Sequence, residues 1–306
     1  MTRTSRRPLV ALLAAATALA GLTGCSAVGS SSAAVTINGK DWSRADLNKL
    51  MDALVKAGQF SAPGGRADTK DTAGVISVMV QFKSGQQLLD SLGIKVNETN
   101  RAKLLASIKQ QVPTMDESTQ NLLVDVAATG ATIDTIPVPT EHQSSAAYES
   151  RPASSGAMCV ADITVKSEAD ARKVSDELAA GKKFADVARA MTINPDRKSS
   201  GGLVVDGAGN QCMVLNMIDD QLGAPLLQAL YELAPGKPTP AIEDTDGWHI
   251  AVNRPWAEIR TEHVKAIAPT SDTSTGRHLL AGFVAVADVR VNSMYGTWNP
   301  VTARVE

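Results

Sequence analysis

The side chains most able to do chemistry are few and scattered in this chain. Its 306 residues include four histidines and three cysteines. No histidine lies close in sequence to either of the last two cysteines, so the spacing disfavours a metal site. A Gly-x-Ser-x-Gly nucleophile elbow is absent, and the glycine-rich stretch 206–210 lacks the lysine of a phosphate-binding loop. We therefore expect no metal and no cofactor.

The first 25 residues have the pattern of an export signal with a lipid attachment site. A basic start is followed by an apolar run at 9–20, which is too short to span a bilayer. The tetrapeptide Leu-Thr-Gly-Cys that ends at Cys25 resembles the lipobox of bacterial lipoproteins. That resemblance implies removal of residues 1–24 and diacylation of Cys25, and two acyl chains anchor a protein stably. The alternative is an ordinary signal peptide with a coincidental cysteine. The export route, general secretory or twin-arginine, stays open.

Export affects the expected chemistry of the two remaining cysteines, Cys159 and Cys212. An oxidising environment favours a disulfide between them. Closing a loop of that size would stabilise the fold by about 4 kcal/mol in the chain-entropy description. The alternative is a pair of buried free thiols.

The composition limits the classes of partner expected for this protein. The formal net charge is −2, so a nucleic-acid partner is not expected. The length suits two modest domains. Beyond the first segment no apolar stretch approaches the length of a membrane span.

Residues 157–255 contain the most informative succession of patterns. An alternating strand is predicted at 158–165, followed by helices at 168–180 and 183–191. A Gly-Gly-Leu turn, a helix starting near Pro225 and a closing Gly-Trp-His-Ile strand complete it. Four landmarks in this order (I-x-V-K, K-F-A-D-V-A, G-G-L, and L-x-P-G-K with G-W-H-I) resemble the parvulin family of peptidyl-prolyl isomerases. The resemblance implies an α+β domain with a small antiparallel sheet wrapped by helices.

The same resemblance implies a site, which departs from the parvulin pattern. His249 occupies the position of the last family histidine. Asp162 stands where the family has its first histidine, and Asn194 falls near the family's cysteine or aspartate. The hydroxyl position falls on Asp244 or Asp246. The family's apolar cup for the proline ring maps onto Leu203, Leu222 and Leu226.

These substitutions leave the catalytic role of His249 in doubt. A lone histidine in a closing strand is more often a packed, hydrogen-bonded residue than a catalytic one. We hypothesise that Asp162 and His249 form a buried pair, which would raise the pKa of the histidine. The cup would still bind extended apolar peptides without isomerising them.

The segment ahead of this domain is predicted to be mostly helical. A short strand with an Asn-Gly turn precedes helices expected at 43–54, 72–92, 97–111 and 118–129. Together with its position, this segment resembles the N-terminal chaperone domain of the SurA/PrsA class. In that class the helical domain holds unfolded client segments, and the last part of the chain packs back onto it. We expect an apolar helix at 276–287 to dock there, with a strand at 289–291 beside 35–37.

These patterns divide the chain into six predicted segments: a signal peptide (1–24), a tether (25–34), a helical chaperone-like domain (35–138), a linker rich in proline and serine (139–156), a parvulin-like domain (157–255) and a returning C-terminal segment (256–306). The leading hypothesis is a lipid-anchored extracytoplasmic folding factor that binds unfolded exported polypeptides, with weak or no isomerase activity. The alternatives are a working prolyl isomerase and a cell-envelope adaptor with one fixed partner.

Overall fold

The computed structural model describes residues 32–60 and 67–306. The signal peptide 1–24 and the lipidation site Cys25 lie outside the described residues. The predicted α+β class is confirmed, because helices combine with small antiparallel sheets. No helix in the two described ranges has the length and apolar character needed to cross a membrane.

A three-stranded sheet in the order β2-β1-β8 closes the N-terminal part of the fold. A turn at Asn38 and Gly39, both with positive φ, joins the first two strands, as the Asn-Gly pair predicts. The third strand comes from the far end of the chain, and Val35 pairs with Val291. The predicted return of the C-terminal segment is thereby confirmed. The strands are β1 (Ala33–Ile37), β2 (Lys40–Ser43) and β8 (Val289–Val291). The predicted tether 25–34 therefore overlaps the start of β1.

Four helices form the helical body together with this sheet: the first two contact the sheet, the fourth packs on the second, and the third packs on the fourth. Each begins at a residue whose side chain accepts a hydrogen bond from the first-turn backbone, for example Ser43 from the amide of Asp46 at 3.0 Å. The body's main core lies between the sheet and the second helix. The helices are α1 (Arg44–Lys56), α2 (Thr69–Ser91), α3 (Glu98–Gln111) and α4 (Glu117–Ile133).

The predicted linker 139–156 is structured rather than extended. It forms helix α5 (Glu141–Ser150) and a 3-10 turn (Pro152–Ser155). Tyr148 is fully buried there and donates a hydrogen bond to the carbonyl of Arg254 at 2.9 Å. A Thr140–Gln143 capping box begins the helix. That local signal outweighed the proline- and serine-rich composition on which the linker prediction depended.

The second half of the chain builds a separate sheet in the order β4-β7-β6, which with its helices we term the sheet module. One face packs on α6 and α7, and the other on α9 and α10. Its strands are β3 (Ala157–Met158), β4 (Val160–Val165), β5 (Met213–Val214), β6 (Ile242–Asp244) and β7 (Gly247–Asn253). Its helices are α6 (Glu168–Ala179), α7 (Phe184–Met191), α8 (Pro195–Ser200), α9 (Leu215–Ile218) and α10 (Ala224–Tyr231).

Two further helices join the sheet module to the helical body: α11 (Trp256–Ala266) and α12 (Thr275–Ala285). The predicted docking of the apolar C-terminal helix is observed, since Leu279, Leu280 and Val284 of α12 share a core with α2 and α4. At the outer edge of that contact Arg277 and Asp134 form an ion pair at 2.7 Å. The chain closes with β9 (Trp298–Asn299) and β10 (Arg304–Val305), which lie against α2.

The predicted disulfide between Cys159 and Cys212 is present. It joins the residue between β3 and β4 to the residue before β5 and is buried beside Tyr148, Trp256 and Ile259. The bond therefore ties the stretch after the Gly-Gly-Leu turn to the sheet and to α11.

Candidate functional site

Two of the predicted site residues of the sheet module, Asp162 and His249, meet on one face of its sheet. In β4 Asp162 and Thr164 point to the same side, because alternate residues of a strand share a face. Across the sheet His249 of β7 lies directly opposite Thr164. Asp162 is fully buried and His249 is 5% exposed. A strand that is apolar elsewhere thus places a carboxyl group inside the protein.

Asp162 is held by several partners at once. Its carboxylate lies 3.1 and 3.2 Å from Nδ1 of His249 and accepts a hydrogen bond from Thr164 Oγ1 at 3.0 Å. Arg197 of α8 forms a close ion pair with the same carboxylate. The other end of the guanidinium donates to the carbonyl of Gln221 at 3.3 Å. A buried carboxylate needs such a set of donors, since an unpaired charge in the interior is costly.

The second nitrogen of His249 also faces an acid. Its Nε2 lies 2.8 Å from the carboxylate of Asp246. Burial opposes the charged ring, but the hydrogen bonds and charges of Asp162 and Asp246 outweigh it and raise the pKa of His249. Burial raises the pKa of Asp246, but the hydrogen bond and the charge of His249 outweigh burial, so the pKa of Asp246 is lowered. A ring between two carboxylates is best satisfied as an imidazolium that donates through both nitrogens.

Asn194 lies outside this cluster. Its side chain caps α8 and accepts hydrogen bonds from the amides of Asp196 and Arg197, both at 3.1 Å. Its contribution to the cluster is indirect, because the cap fixes the helix that carries Arg197. The geometry assigns Asn194 a helix-capping position rather than contact with His249.

The three predicted cup residues do not share one surface. Leu222 and Leu226 are 5% and 1% exposed and belong to the core under α9 and α10. Leu203 pairs with Ala161 and lies on the opposite face of the sheet, where it lines a cavity of about 610 Å³. The prediction of one open cup is therefore wrong, because strand alternation separates Leu203 from the other two.

Arg197 is the site residue that sequence reasoning missed. The sequence pointed to such a residue only indirectly. Asp162 lies within a mostly apolar strand, and a buried carboxylate requires either a cationic partner or several neutral donors. The two residues are 35 positions apart, so no local pattern identified the partner.

A second candidate site lies in the helical body. A cavity of about 410 Å³ opens between α1, α2 and α4, and we call it the α1–α4 groove. Val78 on its rim is 52% exposed. Exposed apolar surface within a concave groove is typical of a binding site for apolar partners. Aliphatic and aromatic side chains dominate the lining: Leu54, Phe60, Val75, Met79, Leu122 and Val126.

Comparison with known proteins identifies the sheet module. Residues 161–253 match the family described as Rotamase, a PPIC-type PPIase domain. The parvulin-like resemblance of this segment is thereby confirmed. No curated protein matches the chain.

Several solved structures are similar at low sequence identity. The parvulin of Nitrosopumilus maritimus is 18% identical, with a TM-score of 0.27, over 32% of this chain and 95% of that chain. PrsA from Bacillus subtilis is 15% identical, with a TM-score of 0.29, over 87% and 96% of the two chains. A SurA-like chaperone of Campylobacter jejuni is 16% identical, with a TM-score of 0.27, over 76% and 89%.

Proposed function

From the PPIC-type domain at residues 161–253 and the apolar groove of the helical body, we propose that the protein is a lipid-anchored extracytoplasmic folding factor. Its helical body binds unfolded exported polypeptides and delays their aggregation. Its PPIC-type domain has weak or no prolyl isomerase activity. Residues 35–138 with 256–306 form the client-binding part of this proposal, and Cys25 carries the anchor.

The α1–α4 groove is the observation that carries the client-binding role. An unfolded chain exposes apolar side chains, and their transfer from water into such a groove is favourable in proportion to the area covered. The groove opens to solvent at Val78, and Lys70 and Asp71 lie at one end of its lining. A surface of this kind selects for apolar character rather than for one sequence, which suits a protein with many clients.

The partners of Asp162 support the proposal that the domain catalyses prolyl isomerisation weakly or not at all. Rotation about a prolyl bond crosses a barrier of about 18–20 kcal/mol that arises from amide resonance. A catalyst must offer polar groups that favour the twisted amide over the planar one. Here Arg197, Thr164 and His249 already satisfy Asp162. His249 lies between two acids, so its ring protons are engaged as well.

The client-binding role is tested by light scattering of several unrelated unfolded proteins with and without the purified chain. We expect the chain to suppress aggregation and Val78→Asp to lose most of the effect, because a carboxylate would then stand at the groove rim. Val138→Asp is the matched control, since Val138 is also an exposed valine, at 40%, and does not line the groove.

Three results would contradict this role. The first is that the wild-type chain does not suppress aggregation, and the second is that the two valine variants suppress it equally. Tight binding to a single envelope protein without general suppression would instead indicate an adaptor.

The second candidate function is an active prolyl isomerase, which the family match of residues 161–253 and the presence of His249 in β7 favour. A prolyl-peptide isomerisation assay compares the wild-type chain with His249→Ala. Our proposal expects little catalysis and no change on substitution. A large rate enhancement that His249→Ala abolishes would establish the isomerase and refute the inactive assignment.

A further inference from the structure

Two cavities lie on opposite flanks of helix α2. The first is the α1–α4 groove. The second measures about 830 Å³ and is lined on its far side by the C-terminal segment, including Tyr295 and Arg304. Lys70, Gly74 and Val78 line both cavities. The two spaces are therefore neighbours, separated only by this line of residues.

The dividing line has a gap at Gly74. Its three residues follow one another at a spacing of four, so they lie along one face of the helix. All three are exposed. A Cβ atom built on Gly74 would meet no heavy atom of residues 32–60 or 67–306 within 4 Å. The glycine is thus a low point in the ridge, over which a chain can pass from one cavity to the other.

Packing does not explain this glycine, in contrast to the other glycine of α2. A Cβ on Gly85 would lie 2.8 Å from the side chain of Ile133, so close helix contact requires glycine there. Gly74 has no such neighbour. A glycine inside a helix destabilises it relative to alanine. Gly74 instead leaves open space at the ridge that a larger side chain would fill.

The two cavities differ in the charged side chains that line them. Lys70 and Arg304 line the second cavity, and neither forms an ion pair with another described residue. The carboxylate of Glu306, which also lines it, is engaged by Asn299 at 3.0 Å and Thr302 at 2.9 Å. Lys70 is shared by both cavities; the second adds the cation Arg304 and the carboxylate of Glu306, whereas the first adds the carboxylate of Asp71. The lining of the second cavity therefore carries one more cation than that of the first.

We propose that an extended client segment crosses α2 at Gly74, with apolar side chains in the α1–α4 groove and acidic side chains facing Lys70 and Arg304. The ligand class is thus an apolar stretch of polypeptide flanked by carboxylates. This inference rests on the proposed client-binding function and specifies the segment that the groove prefers.

Peptide binding to the full-length chain tests the charge preference. The probes are fluorescein-labelled decapeptides that share one leucine- and valine-rich run and carry two glutamates, two glutamines or two lysines at one end. Each pair is placed at the amino end in one series and at the carboxyl end in another. Fluorescence anisotropy at low salt should show about fivefold tighter binding of the better glutamate peptide than of either lysine peptide. The double variant Lys70→Gln/Arg304→Gln should remove this preference while keeping the apolar contribution.

Two substitutions of Gly74 test the crossing. Gly74→Leu should weaken all the peptides about tenfold, because the added side chain occupies the space that one apolar ligand side chain would fill. Gly74→Ala should raise the melting temperature by about 2 °C, which shows that the fold tolerates a side chain there. Ala106→Leu, at an exposed position of α3, is the control for a new leucine on a helix surface.

The outcomes separate this inference from the function on which it rests. If the chain suppresses aggregation but binds lysine and glutamate peptides equally, or if Gly74→Leu binds like the Ala106→Leu control, the crossing is refuted and the folding factor stands. If the wild-type chain neither suppresses aggregation nor binds any of the peptides, the proposed function itself fails.

Discussion

The helical body and the PPIC-type domain differ in one respect: the groove of the first is open, and the site of the second is filled. In the PPIC-type domain the face that carries His249 is filled, and the buried charge of Asp162 is satisfied by Arg197. In the helical body the α1–α4 groove remains open, with Val78 more than half exposed. A satisfied polar cluster stabilises a fold, whereas unsatisfied apolar surface binds a partner. Under the proposed function, the domain with the enzyme-like fold contributes stability and the helical body contributes client binding.

The largest expected effect comes from removing the cation of the filled face. Arg197→Ala leaves Asp162 buried with one partner fewer, and breaking a buried pair costs about 3–5 kcal/mol. Urea unfolding should show this loss. Arg172→Ala is the control, since Arg172 forms an ion pair of 2.6 Å with Glu168 on the surface, and such pairs contribute about 0.5 kcal/mol. Equal effects of the two substitutions would remove the distinction between buried and exposed charge.

His263, at the junction of the two regions, shows what burial does without a carboxylate. It is fully buried beside Tyr148 and Trp256, and burial lowers its pKa from 6.5 to about 4. The unfolded chain therefore binds a proton more readily. Stability should be complete above pH 6.5 and fall by roughly 3 kcal/mol as the pH drops to 4. Urea midpoints of the wild type and His263→Phe should diverge in that window, and parallel curves would contradict the assignment.

His249 should show the opposite pH dependence, because its pKa is raised. Its contribution is complete below the unfolded pKa of 6.5 and is lost as the pH rises through the folded value. Compared with His249→Gln, the wild-type chain should therefore lose stability as the pH increases from 6 to 9, a smaller effect than that of His263. A difference that stays constant over this range would show that folding does not raise the pKa of the ring.

The smallest stability effect is expected in the open region. Val78→Asp should change the free energy of unfolding by about 0.5 kcal/mol or less, because the side chain is already exposed. Thermal melting of this variant should match that of Val138→Asp, while the two differ in suppressing aggregation. A large fall in melting temperature would mean that Val78 is part of the core and that its binding effect is indirect.

Local patterns in the sequence predicted much of this fold. Strand alternation predicted the strand that carries Asp162, the parvulin resemblance suggested its pairing with His249, and the Asn-Gly turn located the first hairpin. The segment predicted as a linker forms helix α5, which a capping box begins. The cup prediction failed because the resemblance assigned Leu203 to the same surface as Leu222 and Leu226, although its pairing with Ala161 directs its side chain to the other face of the sheet.

By itself the sequence determined which segments become strands and helices, which faces are apolar, and that Cys159 and Cys212 were able to pair, since period, caps and turn residues act over a few neighbouring positions. Tertiary structure alone decided that Arg197 reaches Asp162 across 35 residues and that α1, α2 and α4 leave a groove open between them. Contacts of this kind depend on how finished elements pack. Packing is a property of the whole chain, because each buried charge and each exposed apolar surface is defined by residues distant in sequence.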